Sequence, residues 1–231
     1  MPQTKTPPRV EVTENGPYHV SGSLPLTTTT IGANAQADSV EWLAGDRLTQ
    51  DDEYWLCRCG HSKTKPFCDG THQQVGFDGT ETASRAPYLE QAKRLQGPGY
   101  TLTDVNALCA TARFCDPNGT VWKQIGHADQ SAQRENLIRQ SCACPSGRLV
   151  VWDDATGKPI EPTHEPSLAA IDDPAEDCLG PLWLRGGVQL TAADGHDYEV
   201  RNRMTLCRCG ASNNKPFCDG MHLKIRFNQE S

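Results

Sequence analysis

Four candidate metal ligands occur twice in this chain at one unbroken spacing. Leu56 to His72 reads LCRCGHSKTKPFCDGTH and Leu206 to His222 reads LCRCGASNNKPFCDGMH, so C-x-C-x8-C-x3-H holds in both copies. A weaker likeness precedes each copy: GPYHVSGSLPL from Gly16 to Leu26 against GPLWLRGGVQL from Gly180 to Leu190. Apolar and polar positions alternate there between Gly and Pro, which predicts a short strand in each. Tyr54-Trp55-Leu56 and Tyr198-Glu199-Val200 are expected to be the strands that lead into the cysteine loops. The duplicated unit is then strands, ligand loop and a short helical turn. Two copies are too few for a solenoid, so a pseudo-twofold pair is expected.

The ligand types and spacing point to a metal centre. One residue separates Cys57 from Cys59, which brings both sulfurs to the same iron. Cys68 and His72 are four apart, on one face of a helical turn with Cβ atoms about 5–6 Å apart, where they reach a second iron. The turn is expected to begin at Cys68 or Asp69, with Gly70 permitting close backbone approach. A helix N-terminus aims free N–H groups and positive potential at whatever lies there, which suits an anionic cluster. Cys207, Cys209, Cys218 and His222 repeat the set. Three Cys and one His also make a closed tetrahedral zinc site, and spacing alone leaves both metals open.

Composition narrows the class. The 231 residues carry a formal net charge of −7, which argues against general nucleic-acid binding and against adhesion to an anionic membrane. No stretch approaches the roughly 20 apolar residues of a spanning helix, and Met1 to Pro8 lacks the apolar region of a secretory signal. A soluble cytoplasmic protein is expected. Its eleven cysteines are then metal ligands before they are disulfides. At 36% hydrophobic and 6% aromatic residues the chain is thin for one continuous core, so small modules held partly by metal are expected.

Both segments resemble the CDGSH iron–sulfur (mitoNEET-type) family, whose signature is C-x-C-x2-[ST]-x3-P-x-C-D-G-[STA]-H. Cys57, Cys59, Ser62, Pro66, Cys68, Asp69, Gly70, Thr71 and His72 match throughout. Cys207, Cys209, Ser212, Pro216, Cys218, Asp219, Gly220 and His222 match as well, while Met221 departs from the small-residue position and puts a hydrogen bond there in question. The resemblance implies a [2Fe–2S] cluster at each site. Cys57 and Cys59 would hold an inner iron and Cys68 and His72 an outer one, with Cys207, Cys209 and Cys218, His222 in the same roles. It also implies a β-rich fold with exchanged strands, for which the strands around Val20 and Leu184 are the candidates. A tandem chain would form that pair within itself, as a monomer with an internal pseudo-dimer.

Cys109-x5-Cys115, then a helix, then Cys144-Pro145-Ser146-Gly147, resembles the small divergent mono-cluster ferredoxins. Ala112 stands where ordinary [4Fe–4S] ferredoxins have a further cysteine. Cys109, Cys115 and Cys144 imply a [3Fe–4S] cluster, or a [4Fe–4S] cluster with an outside fourth ligand such as Cys142. Cys178 has no motif around it and reads as a small buried residue.

The expected architecture is α+β and β-rich: a first CDGSH module over 14–82, a connector over 83–99, a ferredoxin-like α+β insert over 100–154, a linker over 155–177 and a second CDGSH module over 178–231. Within it, helices are expected at Pro87 to Leu95 and Asp129 to Ser141, a strand at Leu149 to Trp152, and irregular chain from Ala155 to Glu176. No GxGxxG, P-loop or G-x-S-x-G is present, so the chain is read as a non-enzymatic carrier of electrons or clusters for a redox or apo-acceptor protein. The alternative is a zinc-stabilised interaction module. An enzymatic reading has only the acidic run Ile171 to Asp177, which reads more simply as solvated linker.

Overall fold

A computed structural model describes residues 7–48 and 51–230; Met1 to Thr6 of the polar N-terminal stretch lie outside them. In chain order the elements are β1 (Arg9–Val12), β2 (Tyr18–Ser21), β3 (Leu26–Ala33), β4 (Ser39–Arg47), β5 (Tyr54–Leu56), α1 (Tyr88–Gln91), β6 (Lys93–Gly97), β7 (Tyr100–Asp104), α2 (Val121–Gln124), α3 (Ser131–Ala143), β8 (Leu149–Asp153), β9 (Lys158–Ile160), β10 (Ser167–Asp173), β11 (Cys178–Arg185), β12 (Gln189–Thr191), β13 (Arg203–Leu206) and α4 (Met221–Lys224). The architecture is α+β and strand-rich, with three sheets.

Two of these sheets are built from both repeats. One has the order β12-β1-β2-β5, the other β13-β11-β10-β3-β4. β12 runs parallel to β1, with Leu190 opposite Val10, and β3 runs parallel to β10, with Leu26 opposite Leu168. Each repeat therefore sends the strand after its hairpin into the other repeat's sheet. The exchange falls one strand later than expected, since Val20 on β2 and Leu184 on β11 pair within their own repeats.

Alternation explains the burial. Val10, Val12, Tyr18 and Val20 turn inward from β1 and β2, while their neighbours are half-buried. They join Leu26, Leu56, Leu168, Leu182, Leu184, Leu190 and Leu206 in one hydrophobic cluster spanning both repeats. Aliphatic residues thus supply a shared core despite the scarcity of aromatics, and the expectation of separately cored small modules is corrected for the two repeats.

The third sheet, β6-β7-β8-β9, is an antiparallel meander covered by α2 and α3. Leu102, Leu149 and Val151 from the sheet meet Val121, Ile125 and Leu137 from the helices. Three local expectations are corrected here. The helix expected to reach Leu95 stops at Gln91, and Lys93–Gly97 instead pairs with β7. The stretch read as linker contains β9 and β10, and within the acidic run Ile171 and Asp173 are only 1% exposed while Pro174 to Asp177 are exposed, so the run is solvated only in its second half. Tyr198-Glu199-Val200 is not a strand: Tyr198 turns inward to bond Glu81, and the strand before the second loop is β13.

Candidate metal centres

Each ligand loop leaves an edge strand and folds back on it. Cys57 N–H donates to the Pro66 carbonyl at 2.8 Å and Cys68 N–H to the Trp55 carbonyl at 2.9 Å. The second loop repeats this from Cys207 to Pro216 and from Cys218 to Thr205 at the same distances. Lys65–Pro66 and Lys215–Pro216 are both cis. Ser62 Oγ donates to the Phe67 carbonyl at 2.6 Å, and Ser212 Oγ to Phe217 at 2.7 Å. Asp69 and Asp219 accept backbone N–H groups from both sides of their loops and brace them.

The donors stand as pairs. Cys57 and Cys59 sulfurs are 3.8 Å apart and Cys207 and Cys209 sulfurs 3.7 Å apart. Cys68 Sγ lies 3.5 Å from His72 Nδ1, and Cys218 Sγ 3.4 Å from His222 Nδ1. The helical turn begins later than expected, at Thr71 in the first copy and Met221 in the second, so each cysteine precedes the turn that carries its histidine. Gly70 and Gly220 make the bend with φ of 87° and 86°, a left-handed conformation that favours glycine. At Gly70 only conformation matters, because an added Cβ would meet nothing within 4 Å.

Thiol energetics follow the pairing. The bond from Cys59 draws the Cys57 thiol down to about 6, while that bond and burial push Cys59 up. Cys207 is likewise drawn down to about 7 by Cys209. Burial and then the neighbouring Cys207 raise Cys218, and burial raises Cys68. Burial lowers His222 to about 4, which keeps its imidazole neutral and available to a metal. The two loops meet back to back through a bridge between Cys59 and Cys209, where an added Cβ at Gly60 would lie 2.5 Å from the Cys209 carbonyl oxygen.

Arg58 and Arg208, the middle residues of the two C-x-C triplets, are functional positions that spacing did not single out. They are 1% and 2% exposed. Arg58 donates to the carbonyls of Thr13, Gly16 and Gly79, and Arg208 to those of Gly180 and Ile171 and to Asp172. Each ties its ligand loop to the hairpin of its own repeat, and each stacks on the aromatic five residues after the ligand histidine, Phe77 or Phe227. The signal was available, since arginine stands at the same place in both copies.

In the middle module, Cys109, Cys115 and Cys144 line one cavity of about 180 Å³ with Ala112, Trp122 and Arg148. Arg148 pairs with Asp104 at 2.6 Å and lies over the Trp122 ring, fixing one wall. Burial and then Asp116 raise the Cys115 thiol. Cys142 is turned away: its thiol points at the Ile160 carbonyl, 3.5 Å distant, so it is not the fourth donor. Cys178 begins β11, 7% exposed.

Three cysteines and one histidine in each repeat, grouped as two close pairs, suit a two-iron centre; three sulfurs around one cavity suit a cubane with an open corner. Among the described residues no three His, Cys, Asp or Glu converge on a single ion, and no helix is long and apolar enough to cross a membrane.

Comparison with family models agrees with this layout. The model described as iron-binding zinc finger, CDGSH type, matches residues 15–73 and 179–223, and the model described as divergent 4Fe-4S mono-cluster matches 95–154. Comparison with curated proteins finds no match. The chain therefore carries two segments of the CDGSH iron-binding type that flank a divergent 4Fe-4S mono-cluster segment.

Proposed function

We propose that the protein is a non-catalytic iron–sulfur carrier that holds two [2Fe–2S] clusters and a third cluster of [3Fe–4S] or [4Fe–4S] type, and that it passes electrons or cluster to a partner in the cytoplasm. The pairing of donors carries this reading. Zinc in a structural site takes four protein ligands on one ion. A two-iron cluster takes two on each iron, and histidine replaces cysteine on one iron at some centres. Each ligand loop groups its donors as one pair of sulfurs and one pair of a sulfur with an imidazole nitrogen. The cavity of Cys109, Cys115 and Cys144 supports the third cluster, with its fourth position open because Cys142 faces elsewhere.

The matching sheet orders, the paired exchange of β3 and β12 and the Cys59–Cys209 bridge support a pseudo-twofold pair within one chain. They also support extending the second module back from 178 to β10, so that the linker shortens to the residues before Ser167.

Metal analysis with spectroscopy on anaerobically purified protein tests the proposal. About seven or eight irons per chain are expected, against about four for the two CDGSH sites alone. Cys144→Ser removes only the surplus. His72→Cys and His222→Cys each add a thiolate and lower the potential of one binuclear centre, as all-cysteine centres lie below histidine-ligated ones. A colourless protein with zinc in place of iron overturns the proposal.

A further inference from the structure

We infer that the Cys109–Cys115 loop closes the second ligand site and couples it to the middle site, leaving the first as the repeat site open to a partner for exchange of electrons or cluster. This inference rests on the cluster reading above.

The two loops share ligands and internal hydrogen bonds, yet Cys218 and His222 are each 3% exposed, whereas Cys68 and His72 are only half-buried. What differs is what packs on them. An added Cβ at Gly220 would lie 2.6 Å from Thr111 Cγ2, whereas the equivalent Gly70 has open space. Asn214 of the second loop donates to the Ala107 carbonyl at 2.8 Å. The middle-module loop therefore lies directly on the turn between Cys218 and His222.

That placement is held from beneath. Arg113 pairs through both terminal nitrogens with Asp173, at 2.8 and 2.9 Å, and donates to the Thr111 carbonyl at 3.0 Å. Asp173 is 1% exposed and belongs to β10, so the loop is anchored to the second repeat's own sheet. Thr111 and Arg113 have φ of 52° and 62°, a costly conformation for residues other than glycine that surrounding contacts must maintain. Cys109 stands at the start of this loop and on the wall of the middle cavity.

A second connection runs through β13. Arg203, 1% exposed, donates to the Cys144 carbonyl at 2.8 Å and to Ser141 and Leu149 beside it. The same strand continues from Leu206 straight into Cys207. Middle and second sites are thus joined by two short covalent and hydrogen-bonded routes, and the second meets the first across Cys59 and Cys209. Contacts thus connect the middle site to the second and the second to the first. Of the two repeat sites, the first alone presents its cysteine and histidine towards solvent.

The experiment is a chelator challenge of the loaded full-length protein at neutral pH, followed by cluster absorbance. Two release phases are expected, the first about tenfold faster or more, assigned with Cys68→Ser and Cys218→Ser. Thr111→Gly removes the covering side chain and eases the backbone; Arg113→Ala frees the anchor. Each is expected to accelerate the slow phase about tenfold and leave the fast phase unchanged, and Thr111→Gly decides the matter if Arg113→Ala does not fold. A readout independent of clusters is iodoacetamide labelling of metal-stripped protein, where Cys68 should react faster than Cys218 and the gap should narrow in both variants. In reduced protein, magnetic interaction of the middle centre should survive Cys68→Ser and vanish in Cys218→Ser. One release phase, equal labelling or an interaction lost only in Cys68→Ser overturns the inference. Absence of iron and acid-labile sulfide overturns the cluster reading instead, and the labelling comparison still judges the closure.

Discussion

Cys68–His72 and Cys218–His222 are the same device in two settings. Backbone bonds to the preceding strand, the braced aspartate, the left-handed glycine and the 3.4–3.5 Å contact between sulfur and imidazole are common to both. Only the second is roofed by the middle module and by Phe227, which is 1% exposed, while its counterpart Phe77 is half-buried. Ligand chemistry is therefore set within about twenty residues, whereas access and dielectric are set by elements a hundred residues away. Duplication gives a fold two identical centres, and an insertion between the copies is enough to make them unequal.

Acid gives the largest expected separation. A proton competes with iron for the imidazole, and burial holds His222 at about 4, below its ordinary 6.5. The loaded protein should bleach in two steps of similar size as pH falls, the solvent-open first site before the buried second. Stability of the metal-free chain follows the same sign. Unfolded His222 takes up a proton near 6.5 that the folded chain refuses until about 4, so the contribution is complete above 6.5 and is lost as pH falls, at about 1.4 kcal/mol per pH unit. Absorbance titration checks the first statement and urea unfolding across pH the second. Simultaneous bleaching of both sites would dissolve the comparison.

This inequality is what the sequence leaves unread. The repeat, the pairing of its candidate ligands and the strands at Tyr18, Tyr54 and Leu184 were legible, because thiol and imidazole spacing and period-two alternation are local. β10 was hidden because its buried core, Leu168-Ala169-Ala170-Ile171, is short, half alanine and flanked by Pro, Asp and Glu. Tyr198-Glu199-Val200 imitated a strand, yet Tyr198 is buried to hold Glu81 and pack on Phe217. The exchange of β3 and β12 was expected in kind and misplaced by one strand, since adjacent strands of similar pattern compete for the same pairing and only the tertiary register decides. The roles of Thr111 and Arg113 depend on Gly220 and Asp173, far along the chain.

Next in size is the arginine pair. Arg58 and Arg208 each satisfy backbone carbonyls inside the fold, and truncation takes a donor from each of them. Arg58→Ala and Arg208→Ala are each expected to lower stability by about 3 kcal/mol, measured by urea unfolding of loaded protein. Arg58 Nε has no partner among the described residues, whereas Arg208 Nε donates to Gly180 at 2.6 Å, so Arg208→Ala should cost more. A larger loss for Arg58→Ala would show that the first loop, though more open, depends more on its arginine.

The smallest effect belongs to the one motif position that differs. Thr71 gives Asp69 its backbone N–H at 3.0 Å and its hydroxyl. Met221 keeps only the backbone bond to Asp219, at 3.1 Å, and lacks the hydroxyl. The second loop compensates elsewhere: Asn213 donates to Asp219 from its backbone at 2.9 Å and from its side-chain amide at 3.3 Å. Lys63, its counterpart, gives Asp69 a backbone bond at 2.8 Å but has no side-chain amide to add. Met221→Thr should therefore shift the melting temperature of loaded protein by only about 1–2 °C. In Asn213→Ala that compensation is removed, and restoring the hydroxyl should then recover most of whatever stability is lost. If Met221→Thr alone stabilises as much as it does beside Asn213→Ala, the amide is not standing in for the hydroxyl. The two loops would then differ in their bracing as well as in their cover.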